Sequence, residues 1–407
     1  MSRELAYVNQ KNTSCQYAGS IIVGVCYNHR VNEKSKEIPF VPGLILAERF
    51  FREAVEPILA AHYPDLRYSA ALIGRGSEVL GFDTEMSIDH HWGPRVMLFL
   101  RPEEIESRRE PIRRALSEEL PTTFMGYSTN FSAPNPDDKG VQLMQPVESG
   151  PVNHRVQTLT INGFFEHDFG FDVSKDIEPA DWLVLPHQEL RGMTTGRVFR
   201  DDLGLEQFRA RFAWYPHDVW LYILASGWAR IGQDEHLMGR AGYAGDEVGS
   251  AVIGARLARE VMRLAFLMEK QYPPYAKWFG TAFSRLKSAA ELGPLLEAAL
   301  HASSWKTREA SLSRAYEILV ELHNSLGITE VLPARAIPFW RRPFRIIRGE
   351  KIAEAIVKHV KDPKVVLLTK RNLIGNIDMI SDSTDFVDDP SRRAGLRALY
   401  KHATDFA

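Results

Sequence analysis

Between Gly74 and Leu100 the chain reads GRGSEVLGFDTEMSIDHHWGPRVMLFL, a stretch that brings most of its chemistry-bearing residue types together. Gly76 and Ser77 can present backbone N–H groups and a hydroxyl to phosphate oxygens, as glycine-rich turns do. Further along, Asp89 is followed two positions later by His91. In an extended segment these two side chains point to one side, because strand side chains alternate with period two. One face then holds a divalent cation. Nucleotidyl transfer needs such a face: metal ions held by acids clamp a triphosphate and stabilise the departing pyrophosphate.

Other readings of the glycines fail on spacing. A dinucleotide fingerprint needs a third glycine where Val79 stands. A phosphate loop of the Gly-Lys-Ser/Thr kind needs lysine after its second glycine, and Gly81 is followed by Phe82 and Asp83. The chain has no HExxH pair and no Gly-x-Ser-x-Gly elbow.

The elements around this stretch predict what positions it. LILAERFFREAVEPILAAHY, from Leu44, has helical apolar spacing. YSAALIG (Tyr68 to Gly74) and RVMLFL (Arg95 to Leu100) have the length and apolarity of buried strands, and VQTLTIN (Val156 to Asn162) alternates as a third. Pro102 and the glutamates after it suit a helix N-terminus. Beyond about Leu205 the patterns are long and helical, broken at Pro273-Pro274, Gly293-Pro294 and Gly327. The plan is a mixed α/β region over 39–200, then an all-helical domain over 201–407, with 1–38 an extension outside the main fold.

Composition narrows the partners. With 407 residues, 44% hydrophobic, the chain can bury a sizeable core. A formal net charge of -2 gives no pull toward nucleic acid or an anionic membrane. Cys15 and Cys26 make neither a disulfide framework nor a four-thiolate metal site, and GSIIVGVCY lacks a cleavage site for secretion. A cytoplasmic protein with a small-molecule partner is the expectation, with oligomeric state left open.

The pattern of glycine-serine followed by serine and aspartate-x-acid resembles the nucleotidyltransferase superfamily that includes DNA polymerase beta and kanamycin nucleotidyltransferase. More closely, FVPGLILAERFF, ALIGRGSEVLGFDTEMSIDHHWGPRV, ADWLVLPHQEL, GRVFRDD, RFAWYPHDVW, GRAGYAGDEVGS, MRLAFLMEKQYPPYAKWFGTAF and HNSLGI resemble an uncharacterised bacterial family, domain of unknown function 4037, placed near that superfamily. The resemblance covers roughly residues 39 to 390. It implies an α+β fold, a nucleotidyltransferase-like mixed sheet with helices followed by a helical domain. It also implies transfer of a nucleoside monophosphate from ATP or another nucleoside triphosphate to a hydroxyl of a small molecule, with Mg²⁺ as cofactor. The family usually reads Asp-His-Asp-Trp-Gly-Pro-Arg, whereas this chain has Asp89-His90-His91-Trp92-Gly93-Pro94-Arg95. Imidazole favours Mn²⁺ or Zn²⁺ over Mg²⁺, and its neutrality removes one negative charge facing two dications. The alternative is therefore a catalytically degenerate relative that binds a nucleotide or protein partner without turnover.

The residue roles follow. Gly76 and Ser77 grip phosphate; Asp89 is the metal ligand and catalytic acid, with His91 as second ligand. Arg95 either meets phosphate with its planar fork or closes a structural ion pair. Lys277 either reaches the triphosphate or stays at the surface beside Trp278. Glu78, Asp83 and Glu85 read as solvated or capping acids, with metal binding an alternative for Asp83. His90 reads as packing on Trp92, and FAWYPHDVW as core rather than a base-stacking platform. The superfamily's third carboxylate has no counterpart in VQTLTIN. Asp201, Asp202, Asp246 and Glu247 are the remaining candidates for it.

Overall fold

The computed structural model describes residues 39–400, so the extension 1–38 and its two cysteines lie outside the described residues. The chain starts with α1 (Gly43–Phe50), passes through one π-turn (Phe51–Val55) and continues as α2 (Glu56–His62). Next come β1 (Ser69–Leu72), β2 (Arg95–Phe99), α3 (Pro102–Glu119), a short hairpin of β3 (Thr123–Phe124) and β4 (Tyr127–Ser128), β5 (Arg155–Leu159) and α4 (Ile161–Phe169). Then follow α5 (Pro179–Val184), α6 (His187–Thr194), β6 (Arg197–Asp201) and α7 (Leu205–Ala210). The helical half runs through α8 (His217–Tyr243), α9 (Glu247–Met268), α10 (Ala276–Phe283), α11 (Ala289–Leu300) and α12 (Trp305–Ser325). A hairpin of β7 (Ile337–Pro338) and β8 (Arg345–Ile346) interrupts it before α13 (Gly349–Val357), α14 (Pro363–Thr369), α15 (Ile377–Ile380), α16 (Thr384–Val387) and α17 (Pro390–Tyr400).

The fold is mixed α+β. Its four-stranded sheet has the order β5-β2-β1-β6, with β1 antiparallel to both β2 and β6 and β2 parallel to β5. Both faces are covered. Ala70, Leu72, Val96 and Leu98 pack with Phe50, Phe51, Ile112 and Leu116 of the early helices. Ala71, Met97 and Phe99 join a second cluster that continues through α8 and α9. Burial on both sides is why the first two strands read as continuous apolar runs. That second cluster crosses residue 200 without a break.

This topology gathers one end of the sheet. Leu72 at the end of β1 pairs with Arg197, while Arg95 at the start of β2 pairs with Arg155 at the start of β5. The turn after β1 therefore shares an edge with three arginines. Two sequence expectations change here. The third strand stops at Leu159, because the Thr160 hydroxyl accepts from the Gly163 N–H and caps α4. The segment GRVFRDD supplies a fourth strand.

Candidate functional site

The turn between β1 and β2 is held from behind. Gly74 N–H donates to the Gly192 carbonyl of α6 at 2.9 Å. Gly76 has φ +137°, a conformation that L side chains rarely adopt, and a Cβ there would lie 2.6 Å from both Arg95 Nη2 and Glu78 Oε2 and press on their ion pair. Arg95 Nη2 sits 2.5 Å from Glu78 Oε1 and donates to the Arg75 carbonyl at 2.8 Å. Of its two sequence readings the structure takes the ion pair: Arg95 fixes the shape of the turn and is not among the residues lining the cleft.

The front of the turn is open. Among the described residues no acceptor engages the N–H groups of Gly76 and Ser77, and no hydrogen bond uses the Ser77 hydroxyl. Arg75, Gly76 and Ser77 line a cleft of about 580 Å³. Its other walls are the first turn of α6 with His187, Gln188 and Glu189, the α9 residues Arg259 and Arg263, Pro273–Ala276 leading into α10, and the segment around Asp378 and Asp382. Gln188 Oε1 accepts from the Tyr275 N–H at 2.8 Å and ties two of these walls together.

The arginines of the cleft are paired. Arg75 Nη2 lies 2.6 Å from Glu189 Oε1. Arg259 Nη1 lies 2.8 Å from Asp382 Oδ2. Arg263 donates to Glu260 and to the Asp378 carbonyl. Glu189 is 2% exposed, and burial, opposed by Arg75, pushes its carboxyl up to about 7.

The Asp89–His91 segment differs from the extended arrangement expected of it. Thr84 and Ser87 cap each other around a short 3-10 turn (Glu85–Ser87), bends follow, and His91 adopts φ +59°. The period-two argument therefore does not apply. Asp89 is 58% exposed and meets His90 Nδ1 at 3.1 Å, so His90 pairs with its neighbour instead of packing on Trp92. Trp92 is buried, stacked on Phe40 and edge-on to Tyr127. Asp83 Oδ2 accepts from Trp92 Nε1 at 3.1 Å and from Gly43 N–H at 2.7 Å, which makes it a cap for α1 supplied from outside the helix.

His91 Nδ1 accepts from the Gln142 N–H at 3.3 Å and from Arg155 Nη1 at 2.8 Å. Burial and the guanidinium groups of Arg155 and Arg95 hold its pKa down to about 4. A neutral ring that accepts at Nδ1 carries its proton on Nε2, so neither nitrogen has a lone pair for a metal. Glu78 is committed to Arg95, and among the described residues no group of three or more His, Cys, Asp or Glu side chains is gathered for a metal ion. The Asp89–His91 pair thus does not fit a two-metal Mg²⁺ site, nor a Zn²⁺ site.

The remaining expectations are placed as follows. Lys277 is exposed in the first turn of α10, its ammonium 4.9 Å from the Trp278 ring, next to Ala276 of the cleft wall. Asp201 accepts from Ser69 Oγ and the N–H groups of Leu205 and Glu206, and Asp246 caps α9; Glu247 accepts from the Trp305 N–H. Asp202 pairs with Arg200. These four are structural. Of FAWYPHDVW, Phe212, Tyr215, Val219 and Trp220 belong to the core. Arg75 and Glu189 were missed by sequence reasoning. The signal for Glu189 was its place in the quoted motif ADWLVLPHQEL; for Arg75 it was its position between two glycines.

Comparison with known proteins adds a family and a likeness among solved structures. The family described as domain of unknown function (DUF4037) matches residues 182–279. That segment runs from α5 into α10 and carries the cleft residues from His187 to Phe279, whereas the Gly76–Ser77 turn lies before it. A solved nucleotidyltransferase-like protein from Exiguobacterium sibiricum is similar over 77% of this chain and 89% of its own, at 11% identity and a TM-score of 0.30. No curated protein matches the chain.

Proposed function

We propose that the cleft binds the phosphates of a nucleoside triphosphate at the Gly76–Ser77 turn. The observation that carries this reading is the turn itself: Gly76 and Ser77, whose N–H groups and hydroxyl have no protein partner, line a cleft large enough for a nucleotide. Because Asp89 and His91 do not make a metal face, the reading favoured is a nucleotide-binding protein of the α+β nucleotidyltransferase type that holds its ligand without turnover.

Transfer of a nucleoside monophosphate to a small-molecule hydroxyl is the second reading, and one observation favours it. Burial, opposed by the Trp278 indole, and then the charges of Glu78 and Asp89 raise the phenol pKa of Tyr275 in the cleft wall, so the field of Asp89 is felt there. The cytoplasm is the setting we propose; among the described residues no helix is long and apolar enough to cross a membrane.

Isothermal titration with ATP, with and without Mg²⁺, paired with a pyrophosphate-release assay over aminoglycoside and metabolite acceptors, separates the readings. Saturable ATP binding without pyrophosphate supports the first. Pyrophosphate release that Asp89→Ala abolishes supports the second and removes the first. A chain that does not bind ATP under either condition refutes both.

A further inference from the structure

The lining of the cleft sets Arg75, Arg259 and Arg263 against Glu189, Asp378, Asp382 and Asp388. A triphosphate entering this space meets carboxylates that repel it, and each cation it would use already has a partner. Something must change for an anion to bind. The Arg75–Glu189 pair is built to change. Arg75 has a side chain 53% exposed, stands two residues before Ser77, and reaches Glu189 through one nitrogen. Glu189 is buried at the foot of the cleft on α6.

Resting on the nucleotide reading above, we infer that Arg75 is the phosphate-binding cation of the cleft, and that it leaves Glu189 for the ligand while Glu189 takes up a proton from solvent. Arg75 gains a charged phosphate partner beside the Ser77 hydroxyl, which favours the exchange. Glu189, left behind in a buried position, cannot keep its charge cheaply and becomes a neutral acid: one carboxylate plus one proton gives one carboxyl, and the cleft loses one repelling charge.

The groups around Glu189 support this direction. Arg75 from the turn and Arg393 from α17 favour its ionised form; Asp168 from α4 and Asp388 ahead of α17 oppose it, and burial outweighs them all. Arg393 is buried and donates through Nη2 to the Asp168 carbonyl, a bond independent of Arg75, while its Nε and Nη1 have no hydrogen-bond partner. Its pull is already included in a carboxyl that sits at about 7, so removing Arg75 can only move that value up. Proton uptake should therefore be largest just above neutrality and vanish in acid, where Glu189 is already protonated.

Titrating the full chain with ATP in two buffers of different ionisation enthalpy tests this. Between about pH 7 and pH 8 the wild type should take up a fraction of a proton per ATP bound. Glu189→Gln, close to isosteric, should bind at least as tightly with that uptake removed. Arg75→Ala should weaken binding about tenfold or more, with Arg75→Lys intermediate. If ATP binds but Arg75→Ala changes neither affinity nor uptake, or uptake persists in Glu189→Gln, the inference fails while the nucleotide reading stands. If the wild type does not bind ATP, the nucleotide reading fails and takes the inference with it. Thermal melts of each variant establish that it is folded, and the double substitution Arg75→Ala with Glu189→Gln leaves no buried charge unpaired should the single alanine variant unfold.

Discussion

Ser77, Asp83 and Asp89 stand close in sequence and do separable work, so single substitutions tell them apart. Ser77→Ala removes a hydroxyl with no protein partner; unfolding in urea should be unchanged within about 0.5 kcal/mol, while ATP affinity should fall roughly three- to tenfold. Asp83→Ala leaves Gly43 N–H and Trp92 Nε1 without an acceptor. It should cost about 2–3 kcal/mol by the same unfolding measurement. Asp89→Ala, on an exposed side chain, should cost no more than the first. Equal destabilisation by all three would show that the loop is not organised as described. The turn itself was legible from the sequence, because two glycines and a serine end the apolar run of β1. The partners of Arg75 and Asp83 were not, since Glu189 and Gly43 are brought to them only by the packing of α6 and α1.

At the scale of elements, the close approach of α6 to the turn after β1 is the feature on which the site depends. A Cβ on Gly192 would lie 2.4 Å from the Gly74 carbonyl oxygen, a backbone atom with little room to give. Gly192→Ala should therefore destabilise the chain by about 1–3 kcal/mol and weaken ATP binding as the turn is pushed forward. Unaltered stability and affinity would mean that α6 does not set the turn. β1 and β2 were legible because both faces of the sheet are covered and their residues are apolar throughout. β6 was not. It is an edge strand in which Arg197 pairs with Glu48 and Arg200 with Asp202, so charge disguises it as a loop. The Asp89–His91 segment was read as extended because the capping of Thr84 by Ser87 and the positive φ of His91 leave no hydrophobic pattern to betray them.

Over the whole molecule, buried carboxyls set the response to pH. Burial raises Glu189 to about 7 and Glu235 to about 8 from an ordinary 4.5. A carboxyl raised on folding contributes stability that is full below its unfolded value and is lost as pH rises through its folded one. The histidines held neutral, such as His91 and His323 at about 4, add stability as pH rises toward their unfolded value of 6.5 and have finished doing so about one unit above it. The melting temperature of the ligand-free chain should therefore fall by about a degree or two between about pH 7.5 and pH 9, where the histidines no longer contribute, and Glu189→Gln should reduce that fall. A melting temperature that is flat or rises over this range would contradict the burial of both carboxyls. The helical character of the second half was legible from its periodicity. The cleft was not, because it is assembled from the β1 turn, α6, α9 and the segment near Asp378, which no local pattern connects.

The most direct test of the central claim is the position of a triphosphate. In a crystal structure of the full chain with a non-hydrolysable ATP analogue, the phosphates should lie within hydrogen-bond reach of the Gly76 and Ser77 N–H groups and the Ser77 hydroxyl, inside the cleft walled by α6 and α9. An analogue bound anywhere else on the molecule, with this turn unchanged and unoccupied, would contradict the account.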